Sequence, residues 1–358
     1  MPSTTHPEFN ANTEGLEVAE AFADGIRGKT IVITGVNPGG IGFSTAQAFA
    51  SQSPAHLIIV GRNEEKLQTS IDALKAQYPS VDYRPLKMDL ASQTSVRSAA
   101  KELLSWDDVP VVNILVNNAA VMLVPERTLS EDGIEITFAT NHVGHFLFTC
   151  LLMPKLIRAA ETNPRGTTRI VNISAASGYL STVRWSDVNF EKTNKDLPEE
   201  ERPNQKVHDM WAETDVHEKS YTPLAAYNQS KVANVLFSVA LTKRLYEKYG
   251  ILSFALHPGV IPTELGRYAT PQTVAAIRAM SGTAFTFKTL GAGASTTLVA
   301  ALDPRLGPGE QRGDLENYGT FLDDCQISDR CLPSTLSNEG AQRLWNLSEN
   351  MVKQKFDW

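Results

Sequence analysis

The stretch TIVITGVNPGGIG, residues 30–42, joins a short apolar run to a turn rich in glycine. The run TIVITG (30–35) predicts a buried strand, and FSTAQAFASQ (43–52) predicts the helix that follows. In such a turn the backbone N–H groups can approach a pyrophosphate, and the helix N-terminus adds a favourable partial charge. Glycine and proline are also common in ordinary tight loops, so the turn alone is not specific for a phosphate site. Its position between a strand and a helix strengthens that interpretation.

This alternation of strand and helix continues through more than two hundred residues. Further strands are predicted at LIIVG (57–61), VDYRPLKMD (81–89), VVNILVNN (111–118), TRIVNIS (168–174) and ILSFALH (251–257). Helices are predicted at 63–77, 92–106, about 131–157, 225–249 and near 291–302. Short apolar strands that alternate with helices indicate parallel strands buried on both faces. The prediction is an α/β fold of the Rossmann type, with a doubly wound parallel sheet in a single domain.

Two regions interrupt the alternation and set the predicted domain layout. Residues from about 187 to 220 are acid-rich and form a predicted insertion before the helix at 225–249. We interpret the insertion either as a solvated loop or as the rim of a substrate site, because ligands bind at the carboxyl ends of such strands. The predicted layout is an N-terminal extension (1–27), a main domain (28–325) and a C-terminal extension (326–358).

Charge and cysteine content argue against several classes of protein. The 33 basic and 40 acidic residues leave a formal charge of −7, which argues against a nucleic-acid partner. Cys150, Cys325 and Cys331 form no CxxC pair and indicate a reducing compartment, expected to be the cytoplasm. The polar first residues lack a signal-peptide core, and the most apolar run (143–157) is too short to span a bilayer. The sequence contains no zinc-ligand pattern, so no metal is expected.

The end of the second predicted strand favours a particular cofactor. In NAD-binding folds an acidic residue often stands there and binds the ribose, but this chain has Val60-Gly61-Arg62-Asn63. A guanidinium suits a 2′-phosphate because it is planar, always charged and able to bind in bidentate fashion. Lys66, one helical turn later, could assist. The pattern predicts NADP(H) rather than NAD(H); the alternative is that Arg62 is only a surface charge.

Several motifs resemble those of the short-chain dehydrogenase/reductase superfamily, in the order that this family has them. They are TGVNPGGIG (34–42), Asp89-Leu90, NNAA (117–120), Asn141, the strand that ends at Ser174, Tyr227-Asn228-Gln229-Ser230-Lys231 and HPGVIPT (257–263). The resemblance covers about residues 28 to 325. NHVGHF (141–146) and KTLGAGASTTLVAALDP (288–304) resemble the branch of retinol-dehydrogenase-like and WW-domain-oxidoreductase-like reductases, which includes fungal members.

The resemblance implies where a nicotinamide cofactor would lie. Asp89 would meet the adenine, Asn118 would border the adenosine ribose, and the segment 258–263 would cover the nicotinamide. Together with the glycine-rich turn and the arginine, these motifs predict a set of cofactor contacts. The set is Gly35, Asn37, Gly40, Ile41, Gly42, Arg62, Asn63, Lys66, Asp89, Leu90, Asn118, Ala119, Tyr227, Lys231, Pro258, Gly259, Val260 and Thr263.

Tyr227 and Lys231 lie four residues apart on one predicted helix, so they share a face. Such pairs are common by chance, and the surrounding motifs make this pair a candidate catalytic centre. A free tyrosine has a pKa of about 10, and a nearby lysine cation would lower it toward the operating pH. Tyr227 would then act as general acid or base, and the resemblance implies that Lys231 also holds the nicotinamide ribose. The resemblance also implies that Asn141 holds a helix open for a water that relays protons to Lys231.

Three departures from the family pattern affect these predictions. The glycine-rich turn has one residue more than the common pattern, and Ala120 replaces a glycine. We expect a slightly longer loop that still binds the cofactor. The third departure is larger, because an ungapped match of Asn172-Ile173-Ser174-Ala175-Ala176-Ser177 puts Ala175 where the catalytic serine stands. Ser174 is the candidate catalytic serine, and Ser177 or no serine at all are the alternatives.

Three functional hypotheses remain open from the sequence. The first is an NADP(H)-dependent oxidoreductase that interconverts a ketone or aldehyde and an alcohol on a medium-sized apolar or secondary-metabolite-like molecule. The missing serine motivates the second, a non-redox cyclase or isomerase on the same scaffold. The third is a cofactor-binding regulatory protein without turnover, although a pure binder has no need of Tyr227, Lys231 and Asn141 together. The resemblance also implies a homodimer through helices near 131–157 and 225–249, unless extra segments block that face.

Overall fold

The computed structural model describes residues 3–358, which form a central sheet with helices on both faces. The strands are β1 Thr30–Thr34, β2 His56–Gly61, β3 Asp82–Lys87, β4 Ile114–Asn117, β5 Arg169–Ile173, β6 Leu252–His257, β7 Glu310–Arg312, β8 Leu315–Tyr318, β9 Phe321–Asp323 and β10 Gln326–Ile327. The α-helices are α1 Gly15–Ala21, α2 Ile41–Ala50, α3 Glu64–Gln77, α4 Gln93–Leu104, α5 Ile136–Phe138, α6 Gly144–Leu151, α7 Met153–Thr162, α8 Ser177–Leu180, α9 Gln205–Asp209, α10 Pro223–Tyr249, α11 Pro271–Met280, α12 Leu290–Leu302 and α13 Asn338–Val352.

The main sheet has eight strands in the order β10-β9-β6-β5-β4-β1-β2-β3. Strands β1 to β6 and β9 run parallel, and β10 is antiparallel to β9. Val32 of β1 stands in register between Ile58 of β2 and Leu115 of β4. Strands β2 and β3 lie on one side of β1, and β4, β5 and β6 lie on the other side. This reversal of the strand order creates a crevice at the carboxyl ends of β1 and β4. The predicted doubly wound parallel sheet is confirmed.

Apolar side chains on both faces of the sheet form the core. All five residues of β1 are buried, as expected for a parallel strand that is covered on each side. One layer contains α4, α6, α10 and α13, and its apolar cluster includes Phe146 and Phe237. The other layer contains α1, α2, α3 and α12, with Phe49 and Leu298 in its cluster. The strand ends that form the crevice are therefore supported from both sides.

The continuous helix predicted over about 131–157 is wrong. The structure starts the helix at Ile136, widens it into a π-helical turn at Ala139–Val143 and breaks it at Leu152, where the axis bends by 57°. Pro154 explains the break, because proline has no N–H to donate and its ring clashes with the carbonyl one turn earlier. Among residues 3–358 no single helix is long and apolar enough to cross a membrane, and this bent pair of helices meets that length and composition only when its two halves are joined.

Segments outside the predicted main domain pack against the same core. Gly15 of α1 approaches α12 so closely that an added Cβ would lie 3.3 Å from the Cβ of Ala294. At the other end of the chain, Trp345 of α13 packs on Phe146 of α6, with ring centroids 5.1 Å apart. Strand β10 completes one edge of the main sheet. Helix α1, strand β10 and helix α13 thus pack on the same core as the predicted main domain.

The predicted insertion, about residues 187–220, folds beside α10 as short helical turns and α9. Arg184 anchors it, because its buried guanidinium pairs with Asp187 and donates to the main-chain oxygen of Ser220. Gln229 of α10 accepts a hydrogen bond from the main-chain N–H of Arg184 at 3.0 Å. The two ends of the insertion are therefore held together at one buried cation.

Candidate active site

A cavity of about 560 Å³ opens at the carboxyl ends of the central strands, at the crevice between β1 and β4. Its wall contains most of the residues that the sequence predicted for the site. They are Gly35, Asn37, Gly40, Ile41, Gly42, Arg62, Asn63, Lys66, Asp89, Leu90, Asn118, Ala119, Ser174, Tyr227, Lys231, Pro258 and Thr263. The other three predicted residues, Asn141, Gly259 and Val260, do not line the wall.

The glycine-rich turn has the close packing and the free donors that a pyrophosphate site requires. A Cβ on Gly35 would lie 2.6 Å from the Cα of Ala119, and the φ of +73° at Gly35 also favours glycine. A Cβ on Gly42 would lie 2.5 Å from Nδ2 of Asn118. Among the residues that the structure describes, the N–H groups of Ile41 and Gly42 in the first turn of α2 have no hydrogen-bond acceptor. These features fit the pyrophosphate of a dinucleotide.

Asn118 joins the turn after β1 to the segment after β4. Its Nδ2 donates to the main-chain oxygens of Thr34 and Gly35 at 2.8 and 3.1 Å. The hydroxyl of Thr34 in turn accepts hydrogen bonds from the main-chain N–H groups of Asn118 and Ala119. Asn118 therefore lines the cavity and also sets the spacing between the two strand ends.

A group of polar side chains stands at one end of the cavity, after β2. Arg62 is exposed and has no ion-pair partner among residues 3–358. Asn63 caps α3, because its Oδ1 accepts a hydrogen bond from the main-chain N–H of Lys66 at 2.9 Å. The Nζ of Lys66 lies 3.8 Å from a carboxylate oxygen of Glu264, across the cavity mouth. Arg62 is thus a cation at this end that is available to an anionic ligand, and Arg267, three residues after Glu264 in the chain, is a second one.

Tyr227 and Lys231 stand one helical turn apart on α10, with their side chains at the cavity wall. Both residues are buried, with 8% and 2% of their surfaces exposed. Nζ of Lys231 donates to the main-chain oxygen of Ile173 at 2.8 Å and lies 5.7 Å from the centre of the Tyr227 ring. Asn234 donates to the same oxygen at 3.0 Å. The end of β5 therefore holds the lysine beside the tyrosine.

Burial acts on the pKa values of this pair in a direction that we did not expect. It raises the pKa of Tyr227, and it lowers the pKa of Lys231 to about 7, because a low-dielectric site disfavours the charged form of each group. In the protein without ligand, the pKa of the tyrosine is thus shifted by burial in the direction opposite to the one expected from the lysine. The Tyr227 phenol is therefore neutral at pH 7, and a neutral phenol still has the proton that a general acid donates.

Asn141 lies behind the cavity in the π-helical turn. Its Oδ1 accepts a hydrogen bond from the main-chain N–H of Val121 at 2.8 Å. Its Nδ2 donates to the main-chain oxygen of Val121 and to the hydroxyl of Ser230, each at 2.9 Å. The side chain thus ties the segment after β4 to α10, next to Tyr227. Its role in a proton relay stays a prediction.

The hydroxyl groups near Ala175 are already engaged within the protein. The Ser174 hydroxyl lines the cavity but donates to the main-chain oxygen of Lys231 at 2.6 Å. The Ser177 hydroxyl is buried outside the cavity wall and donates to Oδ1 of Asn228 at 2.7 Å. A hydroxyl has one proton to donate, so either serine would have to break its bond to donate to a ligand.

The apolar part of the cavity wall contains residues that the sequence did not single out. Val121 and Val124 follow β4, Ile136 comes from α5, and Leu265 and Tyr268 come from the segment after β6. The position after a parallel strand was a usable signal for the two valines. No such signal existed in the sequence for Leu265 and Tyr268, because both lie after the last motif and reach the cavity wall only through the tertiary fold.

The interpretation of the insertion as the rim of this cavity is wrong. No residue from 187 to 220 lines the cavity of about 560 Å³. Phe190, Asn194 and Glu201 instead line a second cavity of about 200 Å³, between the insertion and α10. The buried pair of Arg184 and Asp187 anchors the insertion at this second cavity.

Comparison with known proteins gives the class to which this fold and site belong. The sequence pattern of the short chain dehydrogenase family matches residues 29–187. The oxidoreductase fscI of Fusarium equiseti is 40% identical over 254 residues, which cover 70% of this chain and 94% of that protein. The WW domain-containing oxidoreductase of Pongo abelii is 32% identical over 355 residues, which cover 98% of this chain and 74% of that protein.

A solved structure of an uncharacterized protein from Mycobacterium paratuberculosis also resembles the chain. It has a TM-score of 0.61 and 26% identity and covers 93% of this chain and 96% of that one. The chain belongs to the short-chain dehydrogenase/reductase family of oxidoreductases. Within that family it groups with the retinol-dehydrogenase-like and WW-domain-oxidoreductase-like branch, as its motifs predicted.

Proposed function

We propose that this protein is an NADP(H)-dependent oxidoreductase that interconverts a ketone or aldehyde and an alcohol. The observation that carries the proposal is the buried Tyr227 phenol, which lines the cavity beside Lys231 on α10. The phenol is protonated at neutral pH, which is the form that a general acid needs. The three unpaired cysteines are consistent with a reducing compartment, and we propose the cytoplasm.

In the reducing direction, Tyr227 donates its proton to the oxygen of the substrate as negative charge develops there. A bound nicotinamide cofactor would supply the hydride that reduces the carbonyl carbon. Lys231 is held by the main-chain oxygen of Ile173 and stands beside the phenol, where its cation stabilises the phenolate left behind. The N–H groups of Ile41 and Gly42 would bind the pyrophosphate of that cofactor, and Arg62 would bind its 2′-phosphate.

The proposed substrate is a medium-sized apolar molecule of the kind found in secondary metabolism. Val121, Val124, Ile136 and Leu265 form an apolar section of the cavity wall. Apolar walls with few polar groups are typical of sites for such ligands. The catalytic pair lines the same cavity, so it would orient the carbonyl while the apolar wall holds the remainder.

Replacing Tyr227 with Phe tests the proposed chemistry. The phenol hydroxyl has no hydrogen-bond partner among the described residues, so its loss should leave the fold unchanged. We expect turnover of a carbonyl panel with NADPH to fall by about 100-fold or more, as for loss of a general acid. The dissociation constant for NADPH should change little. Tyr318→Phe, on β8 outside the cavity, is the matched control. Full activity in Tyr227→Phe would refute this role.

Replacing Arg62 with Asp tests the choice of cofactor. Loss of a charge-assisted bond to the 2′-phosphate should raise KM for NADPH by about 10- to 100-fold. KM for NADH should rise far less, because NADH has no 2′-phosphate. Lys75→Asp makes the same change of charge at the far end of α3 and serves as control. Equal use of both cofactors by the unaltered protein would contradict the assignment.

The alanine at position 175 favours a second candidate, a non-redox cyclase or isomerase on the same scaffold. Both neighbouring serine hydroxyls donate within the protein, so the site has one donor fewer for a developing oxyanion. Matching NADPH consumption against product separates the two candidates. Product without NADPH consumption favours the non-redox enzyme, and NADPH binding without any product favours a regulatory protein.

A further inference from the structure

The segment after β6 is held in place by residues that stand behind the cavity. Pro258 and Thr263 line the cavity wall, whereas Gly259 and Val260 between them do not. Gly259 has a φ of +95°, and a Cβ there would lie 2.5 and 2.6 Å from Cδ and Cε of Lys288. The stem of Lys288 therefore lies directly against the backbone at Gly259.

Lys288 contacts the same segment through its main chain. Its N–H donates to the carbonyl oxygen of Val260 at 3.0 Å, and Phe287 forms a parallel bridge with Val260. Ile261 is anchored separately, because a Cβ on Gly293 of α12 would lie 2.9 Å from its Cγ1. Each residue from 259 to 261 thus contacts a residue that does not line the cavity.

The buried ammonium group of Lys288 pairs with the half-exposed carboxylate of Asp324. The side chain is 8% exposed, and Nζ lies 2.5 Å from Oδ1 of Asp324. Nζ has no acceptor in hydrogen-bond geometry among residues 3–358, so the contact is a charge pair without a directed bond. A buried ammonium is costly unless it is paired, and the carboxylate therefore fixes where the lysine side chain can end.

Asp324 is itself held rigidly. It occupies the two-residue turn between β9 and β10, with φ values of +48° at Asp324 and +65° at Cys325. The N–H of Cys325 donates to the hydroxyl of Thr296 on α12 at 3.1 Å. Because β9 pairs in register with β6, His257↔Asp323, the carboxylate stands beside the strand end from which the 258–263 segment leaves.

We propose that Lys288, through its ion pair with Asp324, is a positioning residue that holds the 258–263 segment against the cofactor site. The inference rests on the proposed function, in which this segment covers the nicotinamide. Lys288 touches the backbone behind the cavity, so it acts on the cofactor through Gly259 and Val260. The consequence is that cofactor affinity depends on a charge pair that the cofactor does not contact.

Lys288→Met keeps most of the apolar stem and removes the charge, and Asp324→Asn removes the opposite charge. We expect each variant to raise the dissociation constant for NADPH about tenfold in a fluorescence titration, with KM for NADPH rising more than kcat falls. The double variant should be no worse than the poorer single variant, because both act through one pair. Lys195→Met, which breaks the exposed pair with Glu218 in the insertion, is the matched control and should change neither value.

Hydrogen exchange of the protein without ligand gives a readout that needs no activity. The amide of Lys288, bonded to Val260, should exchange at least tenfold faster in both single variants, while amides in β1 and β4 keep their rates. Dissociation constants within twofold of the unaltered protein, or faster exchange spread evenly over the sheet, would overturn the proposal. If the unaltered protein fails to bind NADPH, the proposed function falls, and local exchange still decides whether Lys288 holds the segment.

Discussion

At the scale of single residues, the hydrogen bond that the Ser174 hydroxyl donates decides whether the site has a hydroxyl donor for a substrate. Ser174 has the position at the end of β5 from which a hydroxyl could reach the cavity, but its proton goes to the main-chain oxygen of Lys231. That bond ties β5 to the helix that holds the catalytic pair. Ser174 therefore stabilises the fold, and the next residue, Ala175, has a methyl group in place of a hydroxyl donor.

The motif match puts the missing donor at position 175, next to the cavity-lining Ser174, so replacing Ala175 with Ser should supply it. One oxyanion donor is worth about 10²- to 10³-fold in kcat where it has been removed from an enzyme, and we expect at least a tenfold gain here. The rate of carbonyl reduction with NADPH would be measured for the variant and the unaltered protein. Ala176→Ser, one residue further and also half-buried, is the control. No gain at 175, or an equal gain at 176, would contradict this account.

At the scale of helices and strands, α13 decides which surface of the molecule is free. Trp345 of this helix packs on Phe146 of α6 and lies beneath the guanidinium of Arg244 of α10, 4.1 Å from its ring centre. Ser348 bonds to His142 at 2.7 Å. The outer face of α6 and α10 is thus covered by the chain itself, and a homodimer through these two helices would require α13 to move.

Removing the indole of Trp345 should weaken the whole layer. Trp345 is 3% exposed, and truncation of a buried tryptophan to alanine costs about 3–5 kcal/mol. We expect the free energy of unfolding of Trp345→Ala in urea to fall by that amount. Asn346→Ala, at the next and exposed position of α13, should change it by less than about 0.5 kcal/mol. A loss below about 1 kcal/mol for Trp345→Ala would show that α13 contributes little to the core.

At the scale of the whole molecule, two buried histidines join the helix layer to the sheet and to the C-terminal helix. His145 bonds to the hydroxyl of Thr34 at 2.9 Å, and that hydroxyl supports the turn after β4. His142 bonds to Ser348 of α13. Burial lowers the pKa of His142 to about 3 and that of His145 to about 4, because a charged imidazole is disfavoured away from water.

These two pKa values predict that the protein loses stability in mild acid. The unfolded chain takes up protons on both histidines below about pH 6.5, whereas the folded protein does so only near pH 3 to 4. Stability is therefore full above pH 6.5 and falls as the pH drops toward 4. These two histidines should contribute about 3 kcal/mol to the difference between urea unfolding at pH 7.5 and at pH 5.5, near 1.4 kcal/mol for each. In His142→Gln the difference should shrink by about 1.4 kcal/mol; equal stability at both pH values in the unaltered protein would contradict the account.

The fold and most of the cavity wall could be predicted because they depend on near neighbours in the sequence. Alternating apolar strands and helices indicate a parallel sheet, and the ends of its strands must meet at one edge. The turn 34–42, Arg62 and the pair Tyr227 and Lys231 therefore had to converge once the sheet formed. The break at Leu152 was also readable in principle, because Pro154 stands two residues later.

The α/β sheet, the glycine-rich turn and the side of the molecule on which the site lies thus follow from the order of residues along the chain. Three contacts could be seen only in the folded molecule: Ser174 donates to Lys231, Lys288 lies against Gly259, and α13 covers α6 and α10. Each of these contacts joins residues far apart in the chain, and each depends on the direction of a side chain after packing. Close packing of the core selects those directions, because a buried group must find a partner among whatever the other elements bring beside it.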